Sequence, residues 1–267
     1  MVKRILRDAY VYLILLVLYA PILLLVVYSF NMSKEIGIWS KEWGFSLYAD
    51  LFKNEDVMRT VINTFVLSIG ASVLSTILGT IGAIGMFYSK KKTQRVLNGV
   101  TQIPIINAEI VTAISIALVC TMFAFGRSYA SLVIGHVVLT FPFVVLSVTP
   151  KLKQMDNNLY EAALDLGATP TKALFTVVIP EILPGILSGF LLAINLSLDD
   201  YIITTFTKPA TFSTISTYVF DAYARGGKSS SVPVLRALST IMFVAMILYV
   251  GVRYFIASKK AKKGVNR

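Results

Sequence analysis

The chain has 267 residues, of which 56% are hydrophobic and 15% are charged, and its mean hydropathy is +0.73. Soluble domains carry about 25% charged residues, so this composition excludes an ordinary soluble protein and predicts apolar segments that face lipid. The formal net charge of +11 would favour nucleic-acid binding in a soluble protein. Here the basic residues cluster at the ends of apolar runs, so membrane topology explains the charge and no nucleic-acid partner is expected.

Six apolar runs are long enough to cross a bilayer, since a spanning helix needs about 20 apolar residues. They predict an all-α polytopic membrane protein in which the whole chain, 1–267, forms a single transmembrane domain. The first run follows a basic start, but it is too long for the apolar region of a signal peptide. The predicted spans cover about residues 10–30, 61–88, 101–125, 129–149, 183–206 and 238–256.

The segments in and between these spans carry further signals. Between the first two spans, Trp39 and Trp43 suit a membrane–water interface, and a short interfacial helix is expected there. The second span is rich in glycine, alanine, serine and threonine, which predicts close packing inside the helix bundle. We expect the fourth span to be broken at Phe141-Pro142, and the mixed segment 207–236 to lie on the outer side.

The distribution of lysine and arginine predicts the orientation. With the N-terminus inside, the cytoplasmic segments hold 16 basic residues and the outer segments hold 9. Because cytoplasmic loops carry the excess of basic residues, both termini and the loop between the fourth and fifth spans are expected in the cytoplasm.

That loop, from Asp156 to Gly185, interrupts the apolar runs with a polar pattern of helix, break and helix. Asn158 and Glu161 form a capping-box-like start, and Gly167 stands where a left-handed C-cap is expected. One face of this first helix carries the apolar residues, at the spacing i, i+3, i+4, i+7: Leu159, Ala162, Ala163 and Leu166.

A second short helix is predicted to begin with Thr169 as N-cap and Pro170 as first residue, and to be bounded by Pro180 and Pro184. Each helix has about 10 residues, or roughly 15 Å, and is too short to cross a hydrocarbon layer of about 30 Å. The loop therefore lies on a membrane face or docks on another protein. An ordinary polar loop with two local helices is the alternative.

This loop resembles the EAA loop of ABC importer permeases. The resemblance rests on the glutamate and two alanines, on the glycine four residues later, and on the Ile-Pro and Leu-Pro pairs that follow. It implies the type I importer permease fold, with residues 156–180 as a cytoplasmic coupling element that inserts into a groove of an ATP-hydrolysing subunit. The residues implied for this contact are Glu161, Ala162, Ala163, Gly167, Pro180 and Pro184.

Three carboxylates fall inside predicted spans: Glu109 in the third, and Asp199 and Asp200 in the fifth. A charged side chain inside a bilayer costs several kcal/mol, so it normally faces a bundle interior, a partner or a wet cavity. These acids are therefore candidates for a cation path, to which Tyr201 would add a cation–π contact. Alternatively, the fifth span ends at the two solvated aspartates, and Glu109 makes a buried hydrogen bond. Adjacent helical residues point about 100° apart, so the two aspartates cannot both face one site fully.

The same residues carry a second, narrower resemblance. The strings PIINAEIVTAIS at residues 104–115, SLDDYIITTF at 197–206 and the run at 140–169 resemble the second permease subunit of spermidine/putrescine ABC importers. That family usually has aspartate at the position of Glu109. The resemblance implies a bacterial inner-membrane importer with four kinds of partner besides membrane lipid: a homologous second permease, two ATPase subunits, an extracytoplasmic polyamine-binding protein and its cargo.

No catalytic residue, metal site or resident cofactor is expected in this chain, and ATP and Mg²⁺ are expected on the ATPase subunits. The single cysteine, Cys120, and the single histidine, His136, both lie in apolar runs. A packing or hydrogen-bonding role is expected for His136 rather than a ligand role.

Other functions remain open at this point. Permeases for ferric iron, thiamine, sulfate or molybdate share the EAA loop; acids in the path would repel the anions, but iron and thiamine are not excluded. An ion-coupled secondary carrier would use Glu109 and Asp199 as proton sites. A membrane scaffold or sensor that transports nothing is the third alternative.

Overall fold

A computed structural model of the chain describes residues 2–33, 38–224 and 232–265. Within these ranges the secondary structure is helical, apart from one antiparallel bridge between Asn31 and Trp43. The prediction of an all-α protein is confirmed. Contacts between residues divide the chain into two compact units, residues 1–59 with 219–267 and residues 60–218. The prediction of a single membrane domain stays a prediction.

The first unit contains the N-terminal helix α1 (Val2–Tyr28), the short helix α2 (Ser46–Lys53) and the last helix of the chain (Val232–Val265). The predicted interfacial helix corresponds to α2, which packs against the last helix and buries Leu47 and Leu51. Trp39 and Trp43, which were predicted to lie at a membrane–water interface, are both about half exposed. Residues 225–231 of the predicted outer segment lie outside the described residues.

The described part of this unit contains a buried cation. Arg236 is 2% exposed, yet its Nη1 donates a hydrogen bond of 3.0 Å to the carbonyl of Ser33. The guanidinium also lies 4.1 Å from the centroid of the Tyr28 ring. A buried charge needs such partners, and these two connect the end of α1 to the last helix.

The remaining helices follow in chain order, and most lie in the second unit. They are α3 (Glu55–Phe87), α4 (Lys91–Ile106), α5 (Glu109–Met122), α6 (Tyr129–Gln154), α7 (Asn157–Asp165), α8 (Pro170–Ala173), a π-helical turn (Leu174–Val178), α9 (Ile179–Asp199), α10 (Ile202–Thr207) and α11 (Ile215–Ala224); the last helix, named above, is α12.

The pair of α6 and α9 forms the centre of the second unit. Valines of α6, among them Val144 and Val148, are fully buried in a cluster with Ile182 and Ala193 of α9. The two backbones approach closely because α9 has glycine at the contact: a Cβ on Gly189 would lie 3.2 Å from the Cα of Val144. Small residues permit this spacing in membrane helices.

Among the residues that the structure describes, four helical segments are long and apolar enough to cross a membrane, and a bent pair makes a fifth if it is one span. The four are Tyr10–Tyr28, Glu55–Phe87, Tyr129–Gln154 and Pro170–Asp199. In α12 the apolar part that the structure describes is shorter, Val232–Ala245. The predicted number of six spans therefore stays a prediction.

The bent pair replaces the continuous third span that the sequence predicted. α4 and α5 meet at an angle of 107°, because Asn107 and Ala108 adopt extended backbone conformations with ψ of 150° and 132°. The break places Glu109 in the first turn of α5. An acid is favoured there, since the helix N-terminus carries partial positive charge.

The prolines also differ from expectation. Pro180 and Pro184 do not bound a short helix: the chain is helical from Pro170 to Asp199 without interruption. A proline inside a helix lacks a donor and crowds the carbonyl four residues before it, and the wider π-helical turn just before Pro180 gives that ring room. Likewise α6 continues through Pro142, where a break was predicted. The fifth predicted span, 183–206, ends instead at the aspartates.

A substitution at Gly135 of α6 tests this packing. A Cβ there would lie 2.6 Å from Cγ2 of Ile203, whose side chain is fully buried. Overpacking of this kind costs about 1–3 kcal/mol, so we expect Gly135→Ala to lower the unfolding temperature of the purified protein in detergent. Gly70→Ala is the matched control because nothing lies within 4 Å of its added Cβ. An unchanged unfolding temperature in Gly135→Ala would contradict the described contact between α6 and α10.

Candidate functional site

The two aspartates lie at the break between α9 and α10 and have opposite surroundings. Asp199 is the last residue of α9 and is exposed, whereas Asp200 is 4% exposed. The backbone leaves the helix at Asp200, with φ of −63° and ψ of 127°. The sequence predicted that the two side chains cannot face one site alike, and the break increases the difference between them.

The buried carboxylate of Asp200 holds the start of α10. Its Oδ1 accepts a hydrogen bond of 3.1 Å from the backbone N–H of Ile203, and its Oδ2 accepts one of 2.8 Å from that of Thr204. The hydroxyl of Thr204 donates a third bond of 2.6 Å to Oδ2. Asp200 precedes Tyr201, the N-cap of α10, and its carboxylate satisfies N–H groups that the first turn of a helix leaves without partners.

His136 of α6 joins this cluster from the opposite side. Its side chain is fully buried, with Nδ1 2.7 Å from the hydroxyl of Ser197 and Nε2 3.0 Å from that of Thr204. Nε2 also lies 3.5 Å from Oδ2 of Asp200. The expected hydrogen-bonding role of His136 agrees with this geometry. Its partners were not predictable, because they lie more than 60 residues away along the chain and no motif links them.

A cavity of about 490 Å³ opens beside the break. It brings together the predicted cargo residues Glu109, Asp199, Asp200 and Tyr201, which come from α5, from the end of α9 and from the break itself. Three carboxylates give the wall a negative charge, and no basic residue is among those described as lining it. The other lining residues are Pro104, Ile105, Asn107, Thr112, Leu139, Phe143, Asn195, Leu196, Ile202 and Ile203.

Sequence reasoning missed part of this wall. The amides of Asn107 and Asn195 and the hydroxyl of Thr112 also line the cavity, and the Asn107 amide donates to that hydroxyl over 3.4 Å. Polar residues in otherwise apolar spans are the signal that indicated the acids, and it applies equally to these amides. The cavity can therefore offer carboxylate, carbonyl and hydroxyl oxygens to a cation.

The predicted coupling loop begins with α7, which starts two residues before the expected start. Its N-cap is Asp156 rather than Asn158: the Asp156 carboxylate accepts a hydrogen bond of 3.0 Å from the backbone N–H of Asn158. Gly167 ends the helix as predicted, with φ of 85°. The backbone N–H groups of Gly167 and Ala168 donate to the carbonyls of Leu164 and Ala163, which is the bonding pattern of a Schellman C-cap.

The next helix also starts as predicted. The hydroxyl of Thr169 accepts a hydrogen bond of 3.3 Å from the N–H of Lys172, and Pro170 occupies the first helical position. Pro180 and Pro184 are exposed residues in the first turns of α9. The structure therefore separates the six predicted coupling residues into four on α7 and its cap and two on the spanning helix.

The α7 helix packs on one side and leaves the other side open. Tyr160 lies 5.6 Å from Tyr88, ring centroid to centroid, and this aromatic contact packs α7 against the end of α3. On the other side Glu161 and Ala162 are exposed, and Leu166 is 89% exposed. This edge has room for a partner.

Solved structures show the class of fold. A bacterial ABC transporter that imports the acidic polysaccharide alginate contains a chain that superposes with a TM-score of 0.65 and 19% sequence identity; the match covers 94% of this chain and 95% of that one. At this identity the likeness shows the fold alone, which is that of an ABC importer permease.

Sequence comparisons place the chain within that class. Residues 71–260 match the family described as the inner membrane component of binding-protein-dependent transport systems. Because this match covers well over half of its length, the chain belongs to that family and is a permease subunit of an ABC importer.

Two relatives match nearly end to end. The putrescine transport system permease protein PotI of Escherichia coli K12 is 29% identical over 256 residues, which cover 93% of this chain and 89% of PotI. The spermidine/putrescine transport system permease protein PotC of Haemophilus influenzae is 28% identical over 254 residues, which cover 95% of this chain and 97% of PotC. The predicted resemblance to this group of permeases is confirmed.

Proposed function

We propose that this permease forms, together with a homologous second permease, the path by which a polyamine such as spermidine or putrescine crosses the bacterial inner membrane. The cavity with three carboxylates is the observation that carries the proposal. The names of the two relatives support the same cargo. An extracytoplasmic binding protein delivers the polyamine, and two ATPase subunits, which bind ATP and Mg²⁺, supply the energy.

The chemistry of the cavity fits an alkyl polyamine. Each ammonium group that leaves water needs a negative charge and hydrogen-bond acceptors, which Glu109 and Asp199 supply as exposed carboxylates. The methylene chain between ammonium groups needs apolar wall, which Leu139 and Phe143 supply. Tyr201 adds an aromatic ring for a cation–π contact. An anionic cargo would be repelled by the same wall.

The proposal includes a topology and a coupling contact. Six spans place both termini in the cytoplasm, since the basic residues favour that side. The open edge of α7, with Glu161, Ala162, Ala163 and Gly167, then docks on an ATPase subunit. Pro180 and Pro184 follow later in the chain, in the first turns of α9, the helix that enters the membrane. Closure of the ATPase dimer moves that helix and alternates access to the cavity.

Uptake by the purified complex in proteoliposomes tests the cargo. The liposomes contain ATP, and the binding protein presents radiolabelled spermidine, putrescine, thiamine or ferric iron from outside. We expect ATP-dependent uptake of a polyamine, with no competition by thiamine or ferric iron. Uptake of thiamine or iron instead would refute the polyamine as cargo but would agree with the importer architecture. Uptake without ATP or ATPase subunits would identify an ion-coupled carrier and refute the proposal.

The two exposed acids of the cavity should carry binding. Losing one charge-assisted hydrogen bond costs about 1.5–3 kcal/mol, so we expect Asp199→Asn or Glu109→Gln to raise the KM of polyamine uptake about tenfold or more. Assembly of the complex should stay intact, since both side chains are exposed. Glu55→Gln, at an exposed acid outside the cavity, is the matched control. Wild-type KM values in both cavity variants would remove these acids from the path.

The open edge of α7 should transmit the action of the ATPase. Ala162 is exposed, so Ala162→Trp leaves this chain folded but blocks close docking, and we expect uptake to fall while insertion into the membrane continues. At Gly167, valine is strained at the positive φ and asparagine tolerates it. Gly167→Asn should therefore retain more uptake than Gly167→Val. Normal uptake and normal stimulation of ATP hydrolysis in Ala162→Trp would contradict the coupling contact.

A further inference from the structure

One imidazole connects three helices around the α9–α10 break. His136 belongs to α6, Ser197 to the last turns of α9, and Thr204 to α10. All three side chains are buried, with exposures of 0%, 2% and 0%. Asp200 and Tyr201 are the two residues between the helices, and the hydroxyl of Ser216 also reaches the carbonyls of Leu198 and Asp199 at the end of α9, over 3.4 and 3.5 Å.

The hydrogen bonds fix the direction of each donor. The hydroxyl of Thr204 has one hydrogen, which it donates to Oδ2 of Asp200. Its oxygen must therefore accept from Nε2 of His136, which lies 3.0 Å away. With hydrogen on Nε2, the neutral imidazole accepts at Nδ1 from the hydroxyl of Ser197 over 2.7 Å. The chain of donors runs from α9 through His136 and Thr204 to Asp200.

This arrangement occupies the carboxylate of Asp200. Its Oδ2 accepts from the N–H and the hydroxyl of Thr204 and lies 3.5 Å from Nε2 of His136. Its Oδ1 accepts from the N–H of Ile203. A buried carboxylate with these partners is stabilised as part of the break, and it has fewer acceptor sites left for a cargo ion than the exposed carboxylate of Asp199. Asp199, one residue earlier, is exposed.

We propose that His136 is a positioning residue: through Ser197, Thr204 and Asp200 it holds the α9–α10 break in the one geometry that presents Asp199, and not Asp200, to the cation in the cavity. This rests on the proposed function, in which the cavity takes a polyamine. Without the imidazole, the hydroxyls on both sides of the break lose their shared partner. The end of α9 then loses its hydrogen-bonded link to α6 and α10, and the position of Asp199 is less well fixed.

A double-substitution cycle on the KM of polyamine uptake tests this role, using the full complex in proteoliposomes. His136→Leu keeps the volume and removes both hydrogen bonds, and we expect it to raise KM about tenfold, the effect of losing one well-placed charged contact. The maximal rate and the basal ATP hydrolysis should change less than about twofold, because the coupling loop is unaffected. In the Asp199→Asn background, His136→Leu should add less than about twofold to KM, since the charge that it positions is gone.

Thr204→Val repeats the test with the imidazole in place and decides the matter if His136→Leu does not assemble. Thr205→Val is its matched control, because the Thr205 hydroxyl donates to the carbonyl of Tyr201 in its own helix and not to the cluster. His136→Gln keeps an N–H donor for Thr204, so its KM should lie between those of the wild type and His136→Leu.

The outcomes separate this inference from the proposed function. Effects of His136→Leu, or of Thr204→Val, that multiply with those of Asp199→Asn overturn the positioning role alone, since independent sites behave in that way. If His136→Leu or Thr204→Val lowers the maximal rate and leaves KM unchanged, the positioning role is also overturned, and the variant has general structural damage. Wild-type KM in Asp199→Asn and Glu109→Gln overturns the cation path and this inference together.

Discussion

The burial of one carboxylate is the constraint on which the site depends. An ionised group that leaves water inside a membrane protein must find charge or hydrogen-bond partners, and without them it costs several kcal/mol. Asp200 finds them in the first turn of α10 and in Thr204, which itself accepts from His136. These partners can meet Asp200 only if the helix ends at that point. The broken helix is therefore a consequence of satisfying the charge, and the cavity lies where the break leaves room.

The bend between α4 and α5 faces the same cavity from the other side. It places Glu109 in the first turn of α5, where the helix dipole favours an acid. Two interrupted helices thus bring their ends together, and polar backbone groups that a continuous span would hide are available at one place. Irregular backbone at membrane depth is tolerated where it lines a cavity or is buried in protein.

Local signals in the sequence predicted the elements and the caps, and long-range contacts decided the rest. Apolar runs predicted the helices, and residue chemistry predicted the cap at Thr169 and the positive φ at Gly167. Carboxylates without partners inside a bilayer cost free energy, and this cost identified Glu109, Asp199 and Asp200 as candidate site residues. The helix ends and breaks predicted at prolines were wrong: a π-helical turn precedes Pro180, α6 continues through Pro142, and both helices stay continuous. The contact of His136 with Asp200 depends on how α6 packs against α9, which no local pattern encodes.

The uninterrupted helical run from Pro170 to Asp199 has a mechanical consequence. Its 30 residues span about 45 Å at 1.5 Å per residue, and a helix of that length behaves as a stiff rod. One end adjoins the Schellman turn after α7, and the other carries the exposed aspartate. No coil residue separates the two ends, so a displacement of the first end is passed along the helix toward the second. The two prolines near the first end do not interrupt the helical run: Pro180 follows the π-helical turn directly, and Pro184 lies inside α9.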